Sequence, residues 1–219
     1  GQGPGEYTNS LRYTVNPATK RVYVLQFKTM LEYDYEGNFL RTLPADNHNV
    51  GACCLLNDTQ LVYANDSYNY TTENQADQLY TVDLQKGKII GKIASPVDKK
   101  LRGALNLSSF DFFYRYNGQV CFKGSFQDEI YQIQSPKKKV PVYVLDRGFL
   151  KADYGKKNAE IDPRNRMKGI QIQNIFETDN YLLVSYTNEK NSYQGVFDKG
   201  EHSFVNAVDK NGKAGFTND

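Results

Sequence analysis

The dipeptide Arg-Gly occurs twice at matching places in the chain, at Arg102–Gly103 and Arg147–Gly148. A guanidinium offers a planar fork of donors, so two of them in equivalent connections could converge on an anion. Arg166 belongs with them, in the basic segment DRGFLKADYGKKNAEIDPRNRMK (146–168). The alternative is that each arginine pairs with a local carboxylate such as Asp98 or Asp146. A second group is aromatic: Tyr68 and Tyr70 flank Asn69 in the insert 66–78. Ring faces beside amides suit a sugar or a peptide; the plainer reading is a solvated loop anchored by tyrosines. A third group is rich in oxygen. Glu6, Asp46, Asn106 and Asp111 are donors of the kind that hold calcium, with Tyr7 and His48 close to the first two in sequence.

Several chemistries have no foothold. His48 and His202 are the only histidines and sit in no recognisable triad, and there is no G-x-S-x-G. No catalytic residue is assigned. Cys53, Cys54 and Cys121 form neither a disulfide framework nor a zinc spacing. Cys53 and Cys54 lie in the apolar run VGACCLL, which reads as a strand with one thiol pointing to each face. A net charge of +2 excludes a globally basic nucleic-acid binder, although residues 95–168 hold 15 basic against 8 acidic side chains. That basic stretch lacks regular aromatic interleaving, so nucleic acid is not an expected partner. No run approaches eighteen apolar residues, so no transmembrane segment is expected.

Something must hold these residues in place. Tyr (17) and Phe (12) are abundant and Trp is absent, a mixture that favours pleated, half-buried surfaces. Short alternating runs recur, separated by turn residues. LRYTV, RVYVLQF, TMLEYDY and NFLRTL make one antiparallel meander of four strands. VGACCLL, TQLVYAN, DQLYTVDL and KIIGKI make a second; two more follow. The ends of EYDYEGNFL, YTVDLQKGKII and GVFDKGEHSF share a grammar in which Asp caps the turn and Gly supplies positive φ; the third copy has SPKK instead. Four consecutive meanders predict an all-β fold, a β-propeller of about four four-stranded antiparallel blades. The blades are placed at 11–43, 50–93, 104–145 and 169–207 of one partial domain spanning 1–219. Residues 208–219 begin a further blade or a tail. A β-sandwich is the rival fold, but it would not repeat in fours.

Within each copy the first-to-second and third-to-fourth connections are short. The long ones, 44–49, 66–77, 94–103 and 146–168, all fall on the opposite face by parity. The middle of 146–168 could form a short helix ended by Pro163. Long connections on a rigid scaffold are where binding is expected. The opening GQGPGEY belongs to the same face, with Tyr7 packing at a blade junction and Glu6 approaching the axis.

GQGPGEY before such a strand resembles the signature of NHL/TolB-like six-bladed propellers, a group common as lipoproteins of gut Gram-negative anaerobes. YDYEGNFLRTL is similar to their strand–turn–strand consensus, and GFTND (215–219) to the start of a further segment. The resemblance implies a six-bladed parent, an exported protein at the periplasm, outer membrane or cell surface, and a lipid anchor in a preceding N-terminal part. It implies a non-enzymatic binding protein whose partner is a peptide, glycan or protein, with no cofactor. The alternative is a calcium-dependent hydrolase or lactonase of the propeller type, in which Glu6, Asp46, Asn106 and Asp111 would hold calcium.

Overall fold

Strand QLVYAN shows why the fold stacks as it does. Leu61, Val62, Tyr63 and Ala64 are all fully buried, yet successive strand residues point to opposite faces. A sheet buried on both faces must be sandwiched between two neighbours. The computed structural model shows this arrangement and describes residues 12–65, 77–95, 111–125, 127–147, 169–188 and 191–207.

Fourteen strands are described. The first sheet holds β1 (Arg12–Asn16), β2 (Arg21–Asp34) and the start of β3 (Phe39–Asn57). β3 ends in the second sheet beside β4 (Gln60–Asn65), β5 (Leu79–Asp83) and β6 (Lys88–Ile93). The third sheet contains β7 (Phe112–Tyr116), β8 (Gln119–Lys123), β9 (Glu129–Ser135) and β10 (Lys138–Val144). The fourth contains β11 (Ile170–Glu177), β12 (Tyr181–Asn188), β13 (Asn191–Asp198) and β14 (Ser203–Asn206). Every pairing is between antiparallel neighbours in chain order.

The first sheet departs from the expected strand breaks. Backbone from Arg21 to Asp34 stays extended throughout, and so does the passage from Phe39 to Asn57. A straight strand would separate Arg21 from Glu32 by about 36 Å at strand rise. Their side chains instead meet, Nε to Oε1, at 3.5 Å, so β2 doubles back on itself. Its first limb (21–25) pairs with β1 and its second (29–33) with β3. The expected long connection at 44–49 is likewise part of β3, with Pro44 opposite Thr29 and Asn49 opposite Phe27.

Three apolar layers lie between the four sheets. Tyr23, Leu25, Met30 and Leu43 face Leu61, Tyr63, Tyr80 and Val82. Val62, Ala64, Leu79 and Ile93 face Val120, Phe122 and Ile133. Cys121 and Ile130 face Ile175, Leu182, Val184 and Tyr186. Burying each Leu, Ile, Val, Phe or Met among them contributes about 1.5–3 kcal/mol. The thiols divide as expected: Cys53 packs on the first layer and Cys54 on the second, both unbridged. Face-to-face sheets in sequential order make a β-propeller, with the first strands of neighbouring sheets side by side: Arg12 Nε donates to Gly51 O at 2.9 Å. The outer face of the fourth sheet stays open, with Phe176 63% and Val205 59% exposed.

The turns follow the predicted grammar with one exception. Asp34 Oδ1 accepts from Asn38 N, Asp83 Oδ1 from Gln85 N and Lys86 N, and Asp198 Oδ1 from Gly200 N and Glu201 N, all at 2.8–3.0 Å. The Asn38 side-chain amide, which donates to Asp34 Oδ2 at 2.8 Å, holds the Asp34 carboxyl below the usual carboxylate range, and the Lys86 N–H does the same for Asp83. Gly37 and Gly87 have φ of +86° and +60°. In the fourth sheet the turn has the same length, and its left-handed position just before β14, the place Gly87 takes before β6, is held by His202 at +52° while Gly200 lies two residues earlier. In SPKK, Ser135 Oγ accepts from Lys137 N and replaces the aspartate cap.

Both sets of short turns share one rim: Leu84 N donates to Thr59 O at 2.8 Å and Lys199 N to Asn180 O at 2.9 Å. At the other rim Asn65 N donates to Gln78 O, Gln78 N to Ile93 O, and Leu145 N to Asp128 O. The strand ends bordering segments 66–76, 96–110 and 148–168 therefore all stand at that second rim. Among the described residues no helix is long and apolar enough to cross a membrane.

Candidate functional site

Of the nine residues expected to bind a ligand, Arg147 is the one whose side chain is described. Glu6, Tyr7, Tyr68, Tyr70, Arg102 and Arg166 lie outside the described residues, as do the expected helix before Pro163 and Asn106. Asp46 and His48 fall in β3, where the backbone alone is described.

Arg147 leaves the end of β10 and turns inward. Its Nε donates to Asp128 Oδ1 at 2.8 Å, its Nη2 bonds the same oxygen, and its Nη1 donates to Ile170 O at 2.8 Å. Arg147 thus ties the third sheet to the first residue of β11 in the fourth. Its partner is Asp128, not the neighbouring Asp146, because Asp128 stands beside Leu145 across the β9–β10 ladder. With its side chain 5% exposed, the guanidinium supports the seam rather than reaching into solvent.

Beside it opens a cleft of about 330 Å³ between the third and fourth sheets. Tyr143, Leu145, Ile172, Leu182, Tyr186 and Phe204 line it, with Asp146 and Arg147 at the second rim. The wall is mostly apolar, and Tyr186 stacks on Tyr193 with ring centroids 5.2 Å apart. Small-ligand sites have this form: an apolar concavity with a few fixed polar groups at its mouth. The Asp146 carboxylate and the tyrosine rings give it a polar edge suited to hydroxyl or amide groups.

At the opposite rim the same seam closes on Glu177, whose side chain is 2% exposed. Tyr114 OH, Tyr143 OH and Lys199 Nζ all donate to its carboxylate, at 2.9, 2.7 and 2.7 Å. Burial and the adjacent Glu177 charge push the Tyr114 phenol upward. Burial pulls Lys199 down, but its bonds to Glu177 and Tyr143 outweigh that and raise it. Buried and held by two phenols of the third sheet and an ammonium of the fourth, this carboxylate locks the two sheets together. Sequence reasoning missed it because its members are up to 85 residues apart, Tyr114 to Lys199. The one signal was a glutamate ending the mixed apolar and polar strand IQIQNIFE.

The calcium alternative can be followed at Asp111 alone. Its Oδ1 accepts from Ser125 N and Ser125 Oγ, both at 2.7 Å, which shapes the β8–β9 connection. Among the described residues no group of three His, Cys, Asp or Glu side chains could hold a metal ion.

Comparison with solved structures agrees with the fold. A Bacteroides fragilis protein named as an export candidate aligns at 21% identity and a TM-score of 0.67, over 94% of this chain and 60% of its own. The WD40 repeats of RRP9 align at 9% identity and 0.53, over 92% of this chain and 52% of theirs. An auxiliary nutrient binding protein from Bacteroides ovatus aligns at 8% and 0.52, over 94% and 43%. The chain therefore spans about 60% of the length of the Bacteroides fragilis protein. No curated protein matches it. The family described as Domain of unknown function (DUF4934) matches residues 1–219, and the chain belongs to that family.

Proposed function

We propose that this chain is part of an exported binding propeller that holds a peptide, a glycan or a partner protein at the second rim and does no chemistry on it. The observation that carries the reading is the 330 Å³ apolar cleft opening at that rim beside the Arg147–Asp128 pair. A rigid frame, a concave apolar wall and strand ends bordering three long segments form a receptor geometry. Similarity to the Bacteroides fragilis protein and to the nutrient binding protein supports export and binding as a class. The GQGPGEY motif supports a six-bladed NHL/TolB-like parent with a lipid anchor, facing the periplasm or cell surface of a Gram-negative bacterium.

The test is a thermal-shift screen of glycans and peptides on the wild-type chain, followed by titration calorimetry with Phe204→Ala, which opens the cleft wall at a half-exposed position. The expected result is a ligand that raises Tm and binds the variant at least tenfold more weakly. A large calcium-dependent rise in Tm, lost in Glu6→Gln or Asp46→Asn, would overturn this reading in favour of the calcium-dependent hydrolase.

A further inference from the structure

The outer strands of the four sheets are not alike. The start of β3 carries Arg41 and Pro44, β6 carries Lys88 and Lys92, and β10 carries Lys138, Lys139 and Pro141. Each also pairs with its neighbour through at least one register shift. Charges, prolines and bulges on an outer strand keep other chains from pairing with it. β14 has none of these. Its sequence is SFVN, all four residues are exposed, and its register with β13 is unbroken.

Ala207 N donates to Gln194 O at 2.7 Å. Hydrogen-bonded pairs alternate along an antiparallel ladder, so Ser203 and Val205 turn their main-chain groups to β13, and Phe204 and Asn206 turn theirs outward. Among the described residues no strand pairs with that outer side. The side chains of the same two residues face the cleft between the third and fourth sheets: Phe204 lines it, and Asn206 Oδ1 accepts from Tyr186 OH at 2.6 Å. In a strand added to β14, the residues that bond to Phe204 and Asn206 would also place their side chains on the cleft side.

The cleft wall itself is apolar where it meets them. Tyr143 OH donates to Glu177, Tyr186 OH to Asn206, and Arg147 is engaged by Asp128 and Ile170 O. Rings and methyl groups are left to face a ligand. Between the second and third sheets the same rim is filled instead: the Gln78 and Gln127 amides stand over Gly124, and Lys139 Nζ donates to Gln78 Oε1 at 2.7 Å.

Resting on the binding reading above, we propose that β14 and the cleft together take an extended peptide. It adds a strand to the fourth sheet through the main chain of Phe204 and Asn206 and seats a large apolar side chain in the cleft. Main-chain bonds to a sheet edge, with a pocket for alternate side chains, are a general mode of peptide recognition. A second copy of this chain fits less well. The side chains its own β14 would bring to that face, Phe204 and Asn206, already serve its own cleft.

The probes are capped heptapeptides in which leucine or phenylalanine alternates with threonine, with oligomers of mannose, galactose and N-acetylglucosamine as comparison, measured by thermal shift and calorimetry. In one series the apolar residues are N-methylated, which removes the N–H groups that face β14. In the other the threonines are, which removes N–H groups that face away. The parent peptides are expected to raise Tm; the first series should bind at least tenfold more weakly than the parents and the second within about threefold. Equal affinity of the two series overturns strand addition and leaves the binding reading standing, as does binding of glycans with no peptide. Light scattering that shows a concentration-dependent dimer, with peptide affinity falling as it forms, gives the edge to a second copy and also overturns the site. If neither peptides nor glycans bind, both readings fall.

Discussion

Two of the three seams of the propeller are built on opposite plans. Between the third and fourth sheets every buried charge described is answered: Glu177 by two phenols and an ammonium, Asp128 by Arg147. Between the second and third sheets lie two lysines and two glutamines whose needs are only partly met. The apolar layers are alike, so hydrophobic burial does not set the seams apart. Breaking a polar group in the first seam strands its partners, whereas removing one in the second takes away atoms that were already unmatched. A seam optimised for stability satisfies its polar groups; the other gives some of that stability up.

The sharpest way to break the comparison is Glu177→Ala. It leaves Tyr114, Tyr143 and Lys199 without their acceptor in a buried setting, for which about 3–5 kcal/mol of lost stability is expected. Urea denaturation followed by circular dichroism measures it. A loss below about 1 kcal/mol would show that the three donors find water, and the contrast between the seams would vanish.

Next comes a pair of glycine substitutions. A methyl on Gly91 would stand 2.1 Å from Pro136 O, a backbone atom of the neighbouring sheet. One on Gly195 would meet the Phe204 ring at 2.1 Å, but that ring is half exposed and can swing aside. Gly91→Ala is expected to cost about 2–3 kcal/mol, with Gly195→Ala below it. Equal losses would mean that the second and third sheets can slide apart as easily as a surface ring rotates, contrary to a closely packed inner seam.

These glycines also show what could be read from sequence alone. The four-strand repeat, the aspartate caps and the division of Cys53 from Cys54 follow from local chemistry: alternation, turn residues and a two-residue period. The fold class was therefore legible. The site was much less so. Arg147 could be singled out as a guanidinium at a strand end, but its true partner Asp128 is 19 residues away and is chosen by the β9–β10 register. Gln78 and Gln127 carry no motif. They meet only because two sheets stack so that both amides cover Gly124, and stacking geometry is a long-range outcome. The two strands expected at RVYVLQF and TMLEYDY are the two limbs of β2, which pairs with β1 through one and with β3 through the other.

The smallest expected effect separates the seams by pH. Burial lowers both Lys123 and Lys139 to about 8, while the unfolded chain holds those protons up to the ordinary lysine value near 10.4. From pH 8 towards that value the unfolded state binds more protons than the native one, so the contribution of the second–third seam rises with pH. Lys199 has the opposite sign. Its raised value makes its stabilisation fully present below the unfolded pKa and loses it only as pH climbs through the folded one. Stability measured from pH 7.5 to 9.5 should therefore rise more in the wild type than in Lys139→Met. That variant removes one of the two depressed lysines and, with it, the hydrogen bond to Gln78 Oε1. A difference between wild type and Lys139→Met that does not change across this window would mean that the lysine is solvated in the native state. The second–third seam would then be wet, with its glutamines satisfied by water.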